Sequence, residues 1–109
     1  MIEAGNLRHR VTLVLCERHD NGSGGSRTIW RDGATVWAEV LPIRGSERIQ
    51  AEAQESEITH RVRIRKGAAP TLAPEDRLRI GNRTFHISSL YDYGERGEFW
   101  EIQAEERKR

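Results

Sequence analysis

The sequence predicts an all-β protein: a small antiparallel β-barrel of five to six strands, with one short marginal helix and a long flexible loop. Three observations carry that expectation. Several segments alternate apolar and polar residues, and side chains on a strand change face with a period of two. Gly, Pro and Asn punctuate the joins at short intervals, as they do in barrels and sandwiches. One stretch alone reads as helix, and its apolar stripe is thin. With 109 residues the chain is read as a single domain, 1–109, long enough for one modest core.

Leu7 to Leu15 sets Leu7, Val11, Leu13 and Leu15 against Arg8, Arg10 and Thr12, which predicts a first strand. His19 to Ser26 reads HDNGSGGS, with three glycines and nothing to bury. The span from Glu17 to Asp32 is therefore expected to be a flexible excursion. Within it Thr28-Ile29-Trp30 invites extended structure, and Asp32-Gly33 signals a turn. Thr35 to Leu41 predicts a second strand, with Val36, Ala38 and Val40 on one face and Trp37, Glu39 and Leu41 on the other; Pro42 ends it. Ser46 is an acceptable N-cap for the helix, Glu47 to Ser56, in which Ile49 and Ala53 stand four apart among Glu, Gln and Arg. About ten such residues are marginal without a surface to pack on.

Thr59 to Arg65, THRVRIR, has the most regular alternation in the chain: Val62 and Ile64 face inward, Arg61, Arg63 and Arg65 outward. Pro70 and Pro74 exclude a regular element from Gly67 to Glu75. Asp76 to Ile80 and Arg83 to Leu90 form a hairpin around Gly81-Asn82, with Leu78, Ile80, Phe85 and Ile87 inward. A polar turn from Tyr91 to Gly97 leads to a closing strand, Glu98 to Ala104, with Trp100, Ile102 and Ala104 on one face, and then a charged tail.

Charged residues make up 32% of the chain, above the usual ~25%. The 18 Lys and Arg nearly balance the 17 Asp and Glu, which argues against a dedicated duplex binder. No apolar run reaches the ~20 residues of a membrane span, and Met1-Ile2-Glu3 opens no signal peptide, so no membrane partner is expected and synthesis in a cytoplasm is. Cys16 has no partner for a disulfide and reads as a small apolar filler. His9, His19, His60 and His86 match no metal-ligand spacing and read as ordinary surface or satisfied histidines. The Gly22-Ser23-Gly24-Gly25 stretch lacks the Lys-Ser/Thr of a phosphate loop, no nucleophile elbow appears, and the acidic residues read as a solvated face. Neither an enzyme nor a cofactor site is expected.

The guanidinium ladder carries more information, because three like charges on one strand face need anions nearby. Two readings stand: glutamates on neighbouring strands, at ~0–1 kcal/mol per exposed pair, or a contact face for nucleic acid or an acidic subunit. Trp30, Trp37 and Trp100 are read as core or rim residues.

Taken in order, these landmarks resemble the head–tail joining family of tailed phages, also called head closure or stopper proteins. Gly5-Asn6-Leu7-Arg8-His9-Arg10-Val11 is similar to its G-x-L-R-x-R-[VI] opening, and Trp37-Ala38-Glu39-Val40 to its W-A-x-V strand. Gly45-Ser46-Glu47, Ala51 to Ala53, Thr59-His60-Arg61-Val62-Arg63-Ile64-Arg65 and the hairpin Arg77 to Ile87 follow in the family's order. The resemblance implies a non-enzymatic barrel that joins neighbouring copies in a ring under a portal or adaptor protein. The ring closes the DNA exit channel of the filled head and docks a tail protein. It also implies a chain that is monomeric before assembly, then resident in the virion after passing through the host cytoplasm.

In that setting Arg61, Arg63 and Arg65 are expected to meet a neighbouring subunit or the packaged DNA, and folding is expected not to need them. The segment Arg44 to Glu57, with Arg44, Gly45, Glu47, Arg48, Glu52, Glu55 and Glu57, is the candidate gate. The alternative is a small nucleic-acid-binding barrel that sets the Arg61, Arg63 and Arg65 strand on phosphates.

Overall fold

The computed structural model describes residues 6–43 and 58–107. Six strands are formed: β1 (His9–Asp20), β2 (Ser26–Pro42), β3 (His60–Arg65), β4 (Arg77–Ile80), β5 (Arg83–Asp92) and β6 (Phe99–Arg107). They close into an antiparallel barrel in the order β1-β2-β3-β6-β5-β4. Closure removes the free edges that a six-stranded open sheet would expose. The predicted helix and candidate gate, from Arg44 to Glu57, lie outside the described residues.

Alternation places the core as expected. Val11, Leu13, Val36, Ala38, Val62, Ile64, Leu78, Phe85, Ile102 and Ala104 are buried, with Val40, Ile80, Ile87 and Trp100 packed against them. A fully buried side chain such as Phe85 or Ile64 contributes about 1.5–3 kcal/mol. The sequence did not announce Ala69 and Leu72, which cap the barrel from the Pro-bearing connection between β3 and β4. Trp100 ties that connection down by donating its indole N–H to the Ala69 carbonyl at 2.9 Å. Gly81 takes φ 60° at the first central position of the β4–β5 hairpin, where a two-residue loop of type II′ requires glycine.

The expected long loop is instead mostly strand. β1 pairs with β2 out to Asp20↔Ser26, so the two strands run on past the barrel as a ribbon closed by Asn21 to Gly25. Asn21 Oδ1 accepts backbone N–H groups from Ser23 and Gly25 at 2.9 and 3.3 Å, which fixes that tip. His19 thus lies in a strand, 3.5 Å from Glu17.

Asp32-Gly33 is no turn either. The register slips between Thr12↔Thr35 and Val14↔Asp32, which sets Gly33 and Ala34 against the single residue Leu13. A Cβ at Gly33 would sit 3.1 Å from a Leu15 methyl and 3.2 Å from the Leu13 carbonyl. Glycine here permits a bulge and close strand approach. The other departures are of extent: β5 continues to Asp92 and β6 through Arg107, into the expected polar turn and charged tail.

Candidate assembly face

The ladder stands on the outer wall formed by β2, β3, β6 and β5. Val62 and Ile64 are fully buried while Arg61, Arg63 and Arg65 point out, as the alternation requires. The register then gives the three arginines different neighbours. Arg63 lies opposite Glu39 of β2 and Glu101 of β6, and Glu101 lies opposite Tyr91 of β5. Arg61 is flanked by Leu41 and Gln103, and Arg65 by Phe99, with Trp37 one position on from the Ala38↔Ile64 pair.

Arg63 is spent inside the wall. Its Nη1 donates to Glu39 at 2.9 Å and its Nε to Glu101 at 3.3 Å. The guanidinium lies 4.6 Å from the Tyr93 ring centroid. Side-chain exposure is 19% for Arg63, 10% for Glu39 and 6% for Glu101, so this is a covered ion triad rather than a solvated pair. Burial works against the charge of Arg63. The hydrogen bond to Glu101 and the charges of Glu101, Tyr93 and Glu39 outweigh it and raise its pKa. Burial also raises the Tyr91 phenol, reinforced by Glu101 and opposed by Arg61 and Arg63.

Removing Arg63 would leave two buried carboxylates without a countercharge, so Arg63 is the place where the expectation that folding does not need the ladder is put to the test. Arg65 is different: it is exposed and rests 5.5 Å over the Phe99 ring, with no carboxylate partner among the described residues. Glu39, Glu101 and Tyr93 were not singled out from the sequence. The signal existed for Glu39, which sits on the outward face of its strand and comes opposite Arg63 once the second and third strands are paired.

Around the triad the wall is apolar. Trp37, Leu41 and Tyr91 are 52%, 41% and 46% exposed. They are three of the four exposed large hydrophobics among the described residues, the fourth being Trp30. Arg10 stacks 4.8 Å over Trp37, and a groove of about 540 Å3 opens beside Trp37 and Arg65. Trp37 and Trp30 are thus on the surface, not in the core. Among the described residues no cluster of His, Cys, Asp and Glu is arranged to hold a metal ion, and no helix is long and apolar enough to cross a membrane.

The sequence matches the family model described as phage head completion protein over residues 2–107. No curated protein matches the chain. Among solved structures, the solution structure of a protein from Shigella flexneri 2a is 25% identical, with a TM-score of 0.75 over 96% of each chain. A chain from the virion of a native gene transfer agent particle is 26% identical, with a TM-score of 0.62 over 93% of this chain and 96% of that one.

Proposed function

We propose, from the premise that this chain belongs to the phage head completion protein family, that it is a head-closure subunit. In this reading copies form a ring beneath the portal or adaptor of a filled head, close the DNA exit channel and present the surface on which the tail docks. The family makes the chain a structural protein of the phage head, and a virion chain shares its fold. In this reading its role is structural rather than catalytic.

The observation that carries it is the outer wall of β2, β3, β6 and β5. Exposed aromatic rings beside arginines are the composition of interface centres. Glu39 and Glu101 are consumed by Arg63, so the wall presents Trp37, Leu41, Tyr91, Arg10 and Arg65 to a partner. Its complement is an apolar centre rimmed by carboxylates. In a ring the contact is heterologous, so this wall meets a different surface of the next copy. The partner role assigned to the ladder passes to Arg65 with Arg61 at its flank, while Arg63 holds the platform together.

Arg44 to Glu57 remains the proposed gate. Ile43 and Ile58 are buried at its two ends, with the Ile43 N–H donating to the Thr59 carbonyl at 2.9 Å. Its four glutamates repel phosphates. The reading of Arg61, Arg63 and Arg65 as a phosphate-binding strand is weaker, since the central arginine is already neutralised.

The test is a Trp37→Ser, Leu41→Ser double variant. Both side chains are about half exposed, so the monomer should melt close to wild type. Incorporation into filled heads should be lost. Normal incorporation with normal tail joining would remove this wall from the assembly.

A further inference from the structure

The wall on the other side of the barrel carries a second cationic cluster that the assembly face does not use. Arg77 and Arg79 on β4 point outward beside His86 on β5 and Arg107 on β6. With Trp30 and Asp32 of β2 they line a groove of about 310 Å3. Two of the three arginines are neutralised. Arg79 grips Asp32 with both terminal nitrogens, at 2.8 and 2.6 Å, and Arg107 Nε donates to Glu105 at 2.7 Å.

Arg77 has no carboxylate partner among the described residues; its guanidinium lies 3.8 Å over the Trp30 ring. His86 is driven toward its neutral form by burial and then by Arg77 and Arg107, against the opposing charge of Glu105. The groove thus carries a net single positive charge near neutral pH. Along β1, Arg18 stands on the same face of the ribbon as Val14 and Cys16, exposed and without an ion-pair partner among the described residues. Four residues of strand put it roughly 13 Å from Val14, beside the groove.

We propose that this wall is a DNA-backbone site, in which the groove at Arg77 takes one phosphodiester and Arg18 a second. A phosphodiester carries one negative charge, which matches the single uncompensated guanidinium at each place. The face of Arg77 is occupied by Trp30, so its edge N–H groups are what remains for an anion, in the geometry that suits phosphate oxygens. Arg77 also covers the ring on which a base would stack, so contact is with backbone and carries no base sequence. The wall exposes one large hydrophobic, Trp30, against the three of the assembly face, and Arg77 covers that ring, which favours nucleic acid over protein here. The inference rests on the head-closure reading only for the identity of the polyanion.

The experiment is a low-salt titration of the full chain with a short duplex, followed by residue-resolved NMR and repeated across salt concentrations. Resonances of Arg18, Arg77 and His86 should shift, while those of Trp37, Leu41 and Tyr91 stay put. Two neutralised phosphates give a slope of log K against log salt of about −2, and Arg77→Gln should bring it to about −1. Arg77→Lys, which keeps the charge, should retain most of the slope. No shift, a shift on the opposite wall, or a slope unmoved by Arg77→Gln would overturn the site. Two further arms separate the sources: inorganic phosphate acting where duplex does not would reduce the groove to a free-anion site, and polyglutamate acting where duplex does not would make it a protein contact, each rejecting the proposal. Incorporation of the Arg77→Gln variant into filled heads is scored separately. A chain that binds duplex but never joins heads leaves the site standing and removes the head-closure reading.

Discussion

Replacing Arg63 with Gln separates a structural ladder from one held ready for a partner. In the structure the guanidinium neutralises Glu39 and Glu101, whose side chains are 10% and 6% exposed. Gln keeps some hydrogen-bonding capacity but leaves two covered carboxylates without a countercharge, facing each other across one strand. Removing one member of a buried ion pair costs about 3–5 kcal/mol. Arg63 is itself partly exposed, which places the expectation at about 3 kcal/mol. For a domain of this size each kcal/mol moves the melting midpoint by roughly 4–8 °C, so the fall should be at least ~12 °C by calorimetry or circular dichroism. Arg65→Gln, at an exposed position, should shift stability by no more than ~0.5 kcal/mol. A triple variant, Glu39→Gln, Arg63→Met, Glu101→Gln, removes all three charges together and should recover most of the loss, since well-packed neutral groups often replace a buried ion cluster at little cost. If Arg63→Gln melts within ~3 °C of wild type, the triad is not a structural element and the whole ladder returns to the pool of partner contacts.

Asp76 and His86 give two further tests. Asp76 is buried, and its two oxygens accept the Cys16 and Ala73 N–H groups, each at 2.9 Å, latching β1 to the connection before β4. Asp76→Ala should cost about 2–4 kcal/mol and speed hydrogen exchange at the Cys16 amide; an unchanged rate there would mean the latch is idle. For His86 the folded state holds the pKa below its ordinary 6.5, through burial and the charges of Arg77 and Arg107. The unfolded chain then binds the proton more readily, so this contribution to stability is intact above about pH 6.5 and declines as pH falls below it. The melting midpoint should drop on acidification from about pH 7 toward 5.5, and less steeply in His86→Gln; identical slopes would show that His86 is not coupled to folding.

Much of this molecule is legible in the chain because strand alternation and turn chemistry are local. Val62 and Ile64 inward, Arg61, Arg63 and Arg65 outward, the hairpin at Gly81-Asn82 and the inward set of Leu78, Phe85 and Ile102 all follow from a two-residue period and from what proline and glycine permit. Locality is also where the reading stops. Asp32-Gly33 has the composition of a turn, yet β1 lies alongside to pair with it, so the same glycine makes a bulge and the expected loop becomes a paired ribbon. Glu39 and Glu101 face outward by parity and would be solvated on a lone strand. They are buried because Arg63 reaches them from 24 and 38 residues away and Tyr93 stacks on its guanidinium. Periodicity tells which face a side chain occupies. What covers that face is set by the register between strands distant in sequence, and only the closed barrel fixes that register.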